Sequence, residues 1–229
     1  MNFKILFLLI PFLPLSCSVS KNKKTSENSV YAYLALGDSY TIGESVCSTC
    51  NYPEQLTERL NKNSNKKTSV KIIAKTGWTT TDLLGAIRLE NPSTDYDLVT
   101  LLIGVNNQYQ GKPFSIYEEE FNQLLKMAIE FANGKKENVI VLSIPDYAYT
   151  PFGQQSGKAE RITSELKRYN QYAEKTAKEM GIYFQEITDI TQQGLENPAL
   201  VASDGLHPSN EAYSKFVDRM IEKVSKILR

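Results

Sequence analysis

The residues able to break a covalent bond fall in four short blocks. The first is Leu34-Ala35-Leu36-Gly37-Asp38-Ser39-Tyr40-Thr41-Ile42-Gly43, an apolar run that stops at a glycine, an aspartate and a serine. The single histidine of the 229 residues, His207, stands in Asp204-Gly205-Leu206-His207-Pro208, with a carboxylate three residues before it. Between these ends lie Gly77, in Lys75-Thr76-Gly77-Trp78, and Asn106, in Ile103-Gly104-Val105-Asn106-Asn107. A serine hydroxyl attacks a carbonyl only when a base takes its proton and donors meet the charge that develops on the carbonyl oxygen. Ser39 is the candidate nucleophile, His207 the candidate base and Asp204 the group that steadies the ring, and the chemistry of such a set is acyl transfer. Asp38 is also an acid beside the serine. In a tight strand-to-helix turn an aspartate more often binds its own backbone, so it stays outside the catalytic set.

Taken in order across nearly the whole chain from about Tyr31, the four blocks resemble the SGNH (GDSL-type) hydrolases, a family of serine esterases and lipases, here a bacterial lipoprotein-like member. The resemblance implies an acyl-enzyme route through Ser39, His207 and Asp204. It also implies an oxyanion hole made by the backbone N–H groups of Ser39 and Gly77 and the side-chain amide of Asn106. Glycine at position 77 is expected to let the backbone approach closely, and an amide at 106 donates without competing for protons. The expected substrate is a carboxylic ester with a short acyl group. A carbohydrate O-acetyl ester or a lysophospholipid is the alternative within the family, and a non-catalytic glycan-binding lipoprotein on the same fold is the alternative outside it. A flavodoxin-like nucleotide binder lacks its glycine-rich phosphate loop. With one histidine and no ligand spacing among the aspartates, neither cofactor nor metal is expected.

The elements that must carry these blocks alternate between strand and helix. Tyr31 to Leu36, Val70 to Ala74, Leu98 to Ile103, Val139 to Ile144 and Ile182 to Ile187 read as strands, the first and third apolar without alternation, as in a parallel sheet covered on both faces. Pro145 is expected to stop the fourth. Helical spacing follows in Leu56 and Leu60, in Leu83, Leu84 and Ile87 after a cap within Thr79 to Thr81, in Tyr117 to Ala132, in Ile162 to Met180, and in Tyr213 to Leu228 after Ser209 or Asn210. Asp146 to Lys158 reads as a long aromatic loop, suited either to wall a pocket or to pack on itself. The whole predicts a three-layer α/β/α domain of five parallel strands. The flavodoxin-like order 2-1-3-4-5 comes from the family resemblance. Ser39, Gly77 and Asn106 fall just beyond the first, second and third strands, at the carboxyl ends where ligands bind in such sheets.

Lysine plus arginine equal aspartate plus glutamate at 26 each, so no global field favours nucleic acid. Residues 1–16 read as a signal peptide, with Lys4 before the apolar stretch Ile5 to Leu15. Leu15-Ser16-Cys17 resembles a lipoprotein signal, in which Cys17 carries the lipid, and Pro14 departs from that pattern. Residues 17–29 are a polar tether, and 30–229 form the domain. The expected location is periplasmic or at the cell surface, with membrane contact through the lipid anchor only. Export also favours a local disulfide between Cys47 and Cys50, two free thiols being the alternative.

Overall fold

The computed structural model describes Met1, residues 30–62 and residues 66–229. Apart from Met1, the leader expected over 1–16 and the tether over 17–29, with the lipidation expected at Cys17, lie outside the described residues. In chain order the elements are β1 (Tyr31–Gly37), α1 (Ser39–Ile42), α2 (Tyr52–Lys62), β2 (Thr68–Ala74), α3 (Thr80–Glu90), β3 (Leu98–Leu102), α4 (Val105–Tyr109), α5 (Phe114–Phe131), β4 (Val139–Leu142), α6 (Pro151–Gln155), α7 (Ala159–Glu179), β5 (Tyr183–Gln185), α8 (Thr188–Thr191) and α9 (Asn210–Ile227).

The five strands form one parallel sheet in the order β2-β1-β3-β4-β5, with helices on both faces. On one face α2 packs against α9, and on the other α3, α5 and α7 pack in a row. β3 and β4 are buried along their whole length and β1 from Tyr33 onward, which explains their largely apolar sequences. Part of the polar content of this core is paired: the hydroxyls of Tyr33 and Tyr52 both meet Thr100 Oγ1, at 2.8 and 3.2 Å. Between α5 and α7 the Tyr117 ring stacks on Phe121 at 5.1 Å and tilts against Tyr169 at 4.5 Å. Aromatic pairs of this kind contribute ~0.5–1.5 kcal/mol each beyond area burial.

The helices begin where local chemistry allows. Thr79 and Asp82 form a capping box for α3, and Ser209 accepts the Ala212 N–H at 3.2 Å to start α9. Two expectations need correction. β4 ends at Leu142 rather than running on to Ile144, because the Asn170 side chain takes both backbone groups of Ile144, its Oδ1 accepting the N–H at 2.7 Å and its Nδ2 donating to the carbonyl at 3.0 Å. The segment 146–158 is also not one irregular loop. It holds a 3-10 turn at Tyr147–Tyr149 and the short helix α6, capped by Thr150 with Pro151 in its first turn. Among the described residues no helix is long and apolar enough to cross a membrane.

Candidate active site

Parallel pairing sets Gly37, the last residue of β1, opposite Ala74 at the end of β2 and Leu102 at the end of β3. The turns that follow therefore leave the sheet side by side. A Cβ at position 37 would lie 2.4 Å from the Leu102 carbonyl oxygen, so only glycine fits there. Asp38 then caps α1, its Oδ1 accepting the Tyr40 N–H at 3.0 Å. Burial pushes the Asp38 carboxyl up to about 7, against the lowering effect of the surrounding backbone N–H groups of Tyr40, Gly104 and Asp38 itself. Ser39 opens α1 and is 4 % exposed. Among the described residues, its hydroxyl makes no hydrogen bond and its backbone N–H has no acceptor.

The turn carrying His207 is closed by an antiparallel bridge between Val201 and Pro208 and by the Ala202 N–H donating to the His207 carbonyl at 2.7 Å. Within it Asp204 Oδ1 accepts the N–H groups of Leu206 and His207 at 2.9 and 3.0 Å. Asp204 Oδ2 lies 2.6 Å from His207 Nδ1 and also accepts the Ser45 hydroxyl at 2.7 Å. Partial burial raises this carboxyl, but the donors of Ser45, of the His207 ring and of the Leu206 and His207 backbone outweigh it and hold the group well below the usual carboxylate range. With Nδ1 engaged, Nε2 is the ring nitrogen left to exchange a proton. Tyr40 stands edge-on to the imidazole with ring centroids 5.7 Å apart.

Gly77 has φ +84°, and a Cβ placed there would meet nothing within 4 Å. Its left-handed backbone favours glycine at this position. Gln110 Nε2 donates to the Gly77 carbonyl at 3.1 Å, and among the described residues the Gly77 N–H has no acceptor. Gly104 combines φ +128° with crowding, since a Cβ would fall 2.6 Å from the Tyr117 ring and 2.9 Å from Ile144. This kink starts α4 and sets Asn106, whose Nδ2 donates to the Trp78 carbonyl at 2.9 Å. One amide hydrogen is thus anchored and the second remains for a ligand.

Ser39, Gly77, Asn106 and His207 line one cavity of about 340 Å³, walled by Val105, Tyr109, Tyr147, Phe152 and Leu206. Ser39 and His207 face this common space without a direct hydrogen bond between them. Asp204 stands behind the imidazole, and Cys47 and Cys50 are joined in a disulfide in the loop after α1. The sequence reading missed Ser45, which belongs to no motif. It also left open the parts played by the residues after Asn106. Asn107 is buried and braces Thr80, exchanging contacts of 3.0 and 2.7 Å with its N–H and hydroxyl. Gln108 accepts the Tyr147 hydroxyl at 2.9 Å and donates to Glu165 at 2.7 Å, so it stiffens the wall, while Tyr109 faces the cavity itself.

A doubly covered parallel sheet with a serine, a glycine, an asparagine and a carboxylate-bound imidazole lining one cavity at its carboxyl edge has the architecture of an α/β/α hydrolase. The GDSL-like Lipase/Acylhydrolase family matches residues 35–215, and the chain belongs to that family. Among solved structures it is similar to a member of the lipolytic G-D-S-L family from Veillonella parvula, at 16% identity and TM-score 0.64, covering 84% of this chain and 97% of that one. It is likewise similar to a lipase/acylhydrolase from Enterococcus faecalis, at 17% identity and TM-score 0.64 over 86% and 96% of the two chains. A mutant acetyl-xylooligosaccharide esterase from Geobacillus matches at 18% identity and TM-score 0.64 over 85% and 94%. Among curated proteins no sequence matches the chain.

Proposed function

We propose that the protein is a serine esterase that hydrolyses short acyl esters through an acyl-enzyme. The observation that carries this reading is the Asp204–His207 contact of 2.6 Å beside a cavity that the imidazole shares with Ser39. In this reading His207 Nε2 takes the Ser39 proton as Oγ attacks the ester carbonyl, and Asp204 holds the neutral imidazole in the right tautomer and stabilises the imidazolium that forms. The oxyanion is met by the N–H groups of Ser39 and Gly77 and by the free amide hydrogen of Asn106. The alcohol leaves with the proton from His207, and water then enters by the same route to release the acid. A largely apolar cavity of about 340 Å³ suits a small acyl group.

A second reading, an acetyl esterase acting on carbohydrate, draws on one observation. Tyr109 and Phe152, 58 % and 36 % exposed, lie with ring centroids 6.2 Å apart at the cavity mouth, where a sugar ring can stack. The disulfide fits the export and lipid anchoring proposed from the first 29 residues, since such bonds persist in oxidising compartments.

An organophosphorus serine probe separates an enzyme from a binding protein: it should label the wild type and not Ser39→Ala. Equal labelling of both refutes the nucleophile. p-Nitrophenyl acyl esters of increasing length, run beside acetylated xylan, separate the two substrate readings. Faster turnover of the glycan refutes the first.

A further inference from the structure

The loop after α1 does something for which no part of the proposed mechanism accounts. Asp204 Oδ1 is fully used by two backbone N–H groups of its own turn, whereas Oδ2, the oxygen that faces the imidazole, has one further donor, the hydroxyl of Ser45 from 159 residues away. Ser45 reaches it with φ +65°, a left-handed backbone that serine seldom adopts and that glycine or asparagine takes readily.

The surrounding chain is built to keep it there. The N–H groups of Gly43 and Glu44 both donate to the Ser39 carbonyl at 3.1 Å, so the turn is tied to the nucleophile's own residue. Glu44 accepts the Thr76 hydroxyl, which joins the same turn to the loop of Gly77. Beyond it the Cys47–Cys50 disulfide and the Asn51 amide, donating to the Ile42 and Ser48 carbonyls at 3.1 and 3.0 Å, close the loop.

We infer that Ser45 is a positioning residue, its hydroxyl aiming the Asp204 carboxylate at His207 Nδ1 and linking the nucleophile's turn to the histidine's. The inference rests on the proposed roles of His207 as the base and Asp204 as the carboxylate that orients it. A carboxylate held by two donors on one oxygen can still rock about them, and a third donor on the other oxygen removes that freedom. A well-aimed Oδ2 keeps the proton of neutral His207 on Nδ1, leaving Nε2 bare. Solvent reaches the Ser45–Asp204 pair, so water replaces part of a lost hydroxyl and the expected effect is moderate.

Because the chain has one histidine, 15N NMR of His207 reads the tautomer without ambiguity and independently of any substrate. The full chain is compared with Ser45→Ala, Ser45→Gly and Ser45→Asn, with turnover of p-nitrophenyl acetate as the second readout. Alanine and glycine should each reduce the Nδ1–H fraction and lower kcat about three- to tenfold, with KM within about twofold. Asparagine, which tolerates the left-handed backbone and brings its own N–H donor, should restore both readouts most of the way. Wild-type behaviour of the alanine and glycine variants overturns the inference. So does recovery by glycine without recovery by asparagine, which would make the backbone, and not the hydroxyl, responsible. A tautomer shift in a protein that turns over no ester supports the positioning role while refuting the proposed esterase activity, so the two failures are distinguishable.

Discussion

The acid next to Ser39 offers a sharp test of how the site is built. Asp38 is 1 % exposed; its Oδ1 caps α1 and its Oδ2 is buried without a hydrogen-bond partner among the described residues. Its carboxyl titrates at about 7 in the folded protein, against 3.8 for an ordinary aspartate. Between those values the folded chain holds a proton that the unfolded chain has released, so stability falls as pH rises through the interval. The whole gap of about three pH units, at ~1.4 kcal/mol each, is on the order of 4 kcal/mol, and the part between pH 5 and pH 8 is on the order of 3 kcal/mol. Asparagine keeps an acceptor for the Tyr40 N–H but cannot ionise, at a cost of ~1–3 kcal/mol for a buried amide without an acceptor. Urea unfolding of wild type and Asp38→Asn, followed by the fluorescence of the single tryptophan, Trp78, measures the difference at each pH. The variant should gain on the wild type by a few kcal/mol from pH 5 to pH 8. The comparison cancels other titrations, including that of Asp204, whose contribution has the opposite sign and is lost only at acid pH. Parallel curves for the two proteins would refute a neutral, desolvated Asp38.

Two further outcomes follow from the proposed chemistry. Asn106→Ala removes a donor already aimed by its bond to the Trp78 carbonyl, and should lower kcat by ~10²–10³ with little change in KM; steady-state kinetics on p-nitrophenyl acetate check this, and a loss confined to KM refutes an oxyanion role. His207→Ala should likewise lower kcat/KM, by ~10²–10⁴, and a variant with wild-type turnover would remove His207 as the base.

The fold was legible wherever burial on both faces left a largely apolar run, as in β1, β3 and β4. β2 was legible only in part, because at the sheet edge its residues alternate and its first residue, Thr68, is held by the Asn61 side chain at 2.6 Å rather than by its own hydrophobicity. The helices α1, α4 and α8 left no periodic signal. Each is one turn or little more, and they exist because Asp38 caps the first, Gly104 kinks the chain into the second and Ser143 receives the backbone at the start of the third. The candidate site residues that stand in recognisable blocks could be picked out without coordinates. Ser45 could not, because its partner is distant in sequence and its backbone conformation is not one that serine signals. The pocket wall was half legible: its aromatic residues were visible in the segment 146–158, but the Tyr147–Gln108–Glu165 chain of contacts that stiffens it joins three separate elements.

What brings the blocks together is the register of the sheet more than any contact among the blocks themselves. Gly37 sits level with Ala74 and Leu102, and Ser39, Gly77 and Asn106 follow within four residues of those strand ends. A slip of one residue between β1 and β3 would exchange the faces on which every β1 side chain packs, so the buried layers on either side of the sheet oppose it. Core packing and site geometry are therefore one constraint for these three groups. His207 is outside that constraint, since it arrives on a turn between α8 and α9 that pairs with no strand of the sheet. Its alignment has to come from its own turn and from the loop after α1, which is why the Ser45–Asp204 contact lies where the sheet's control of the site ends.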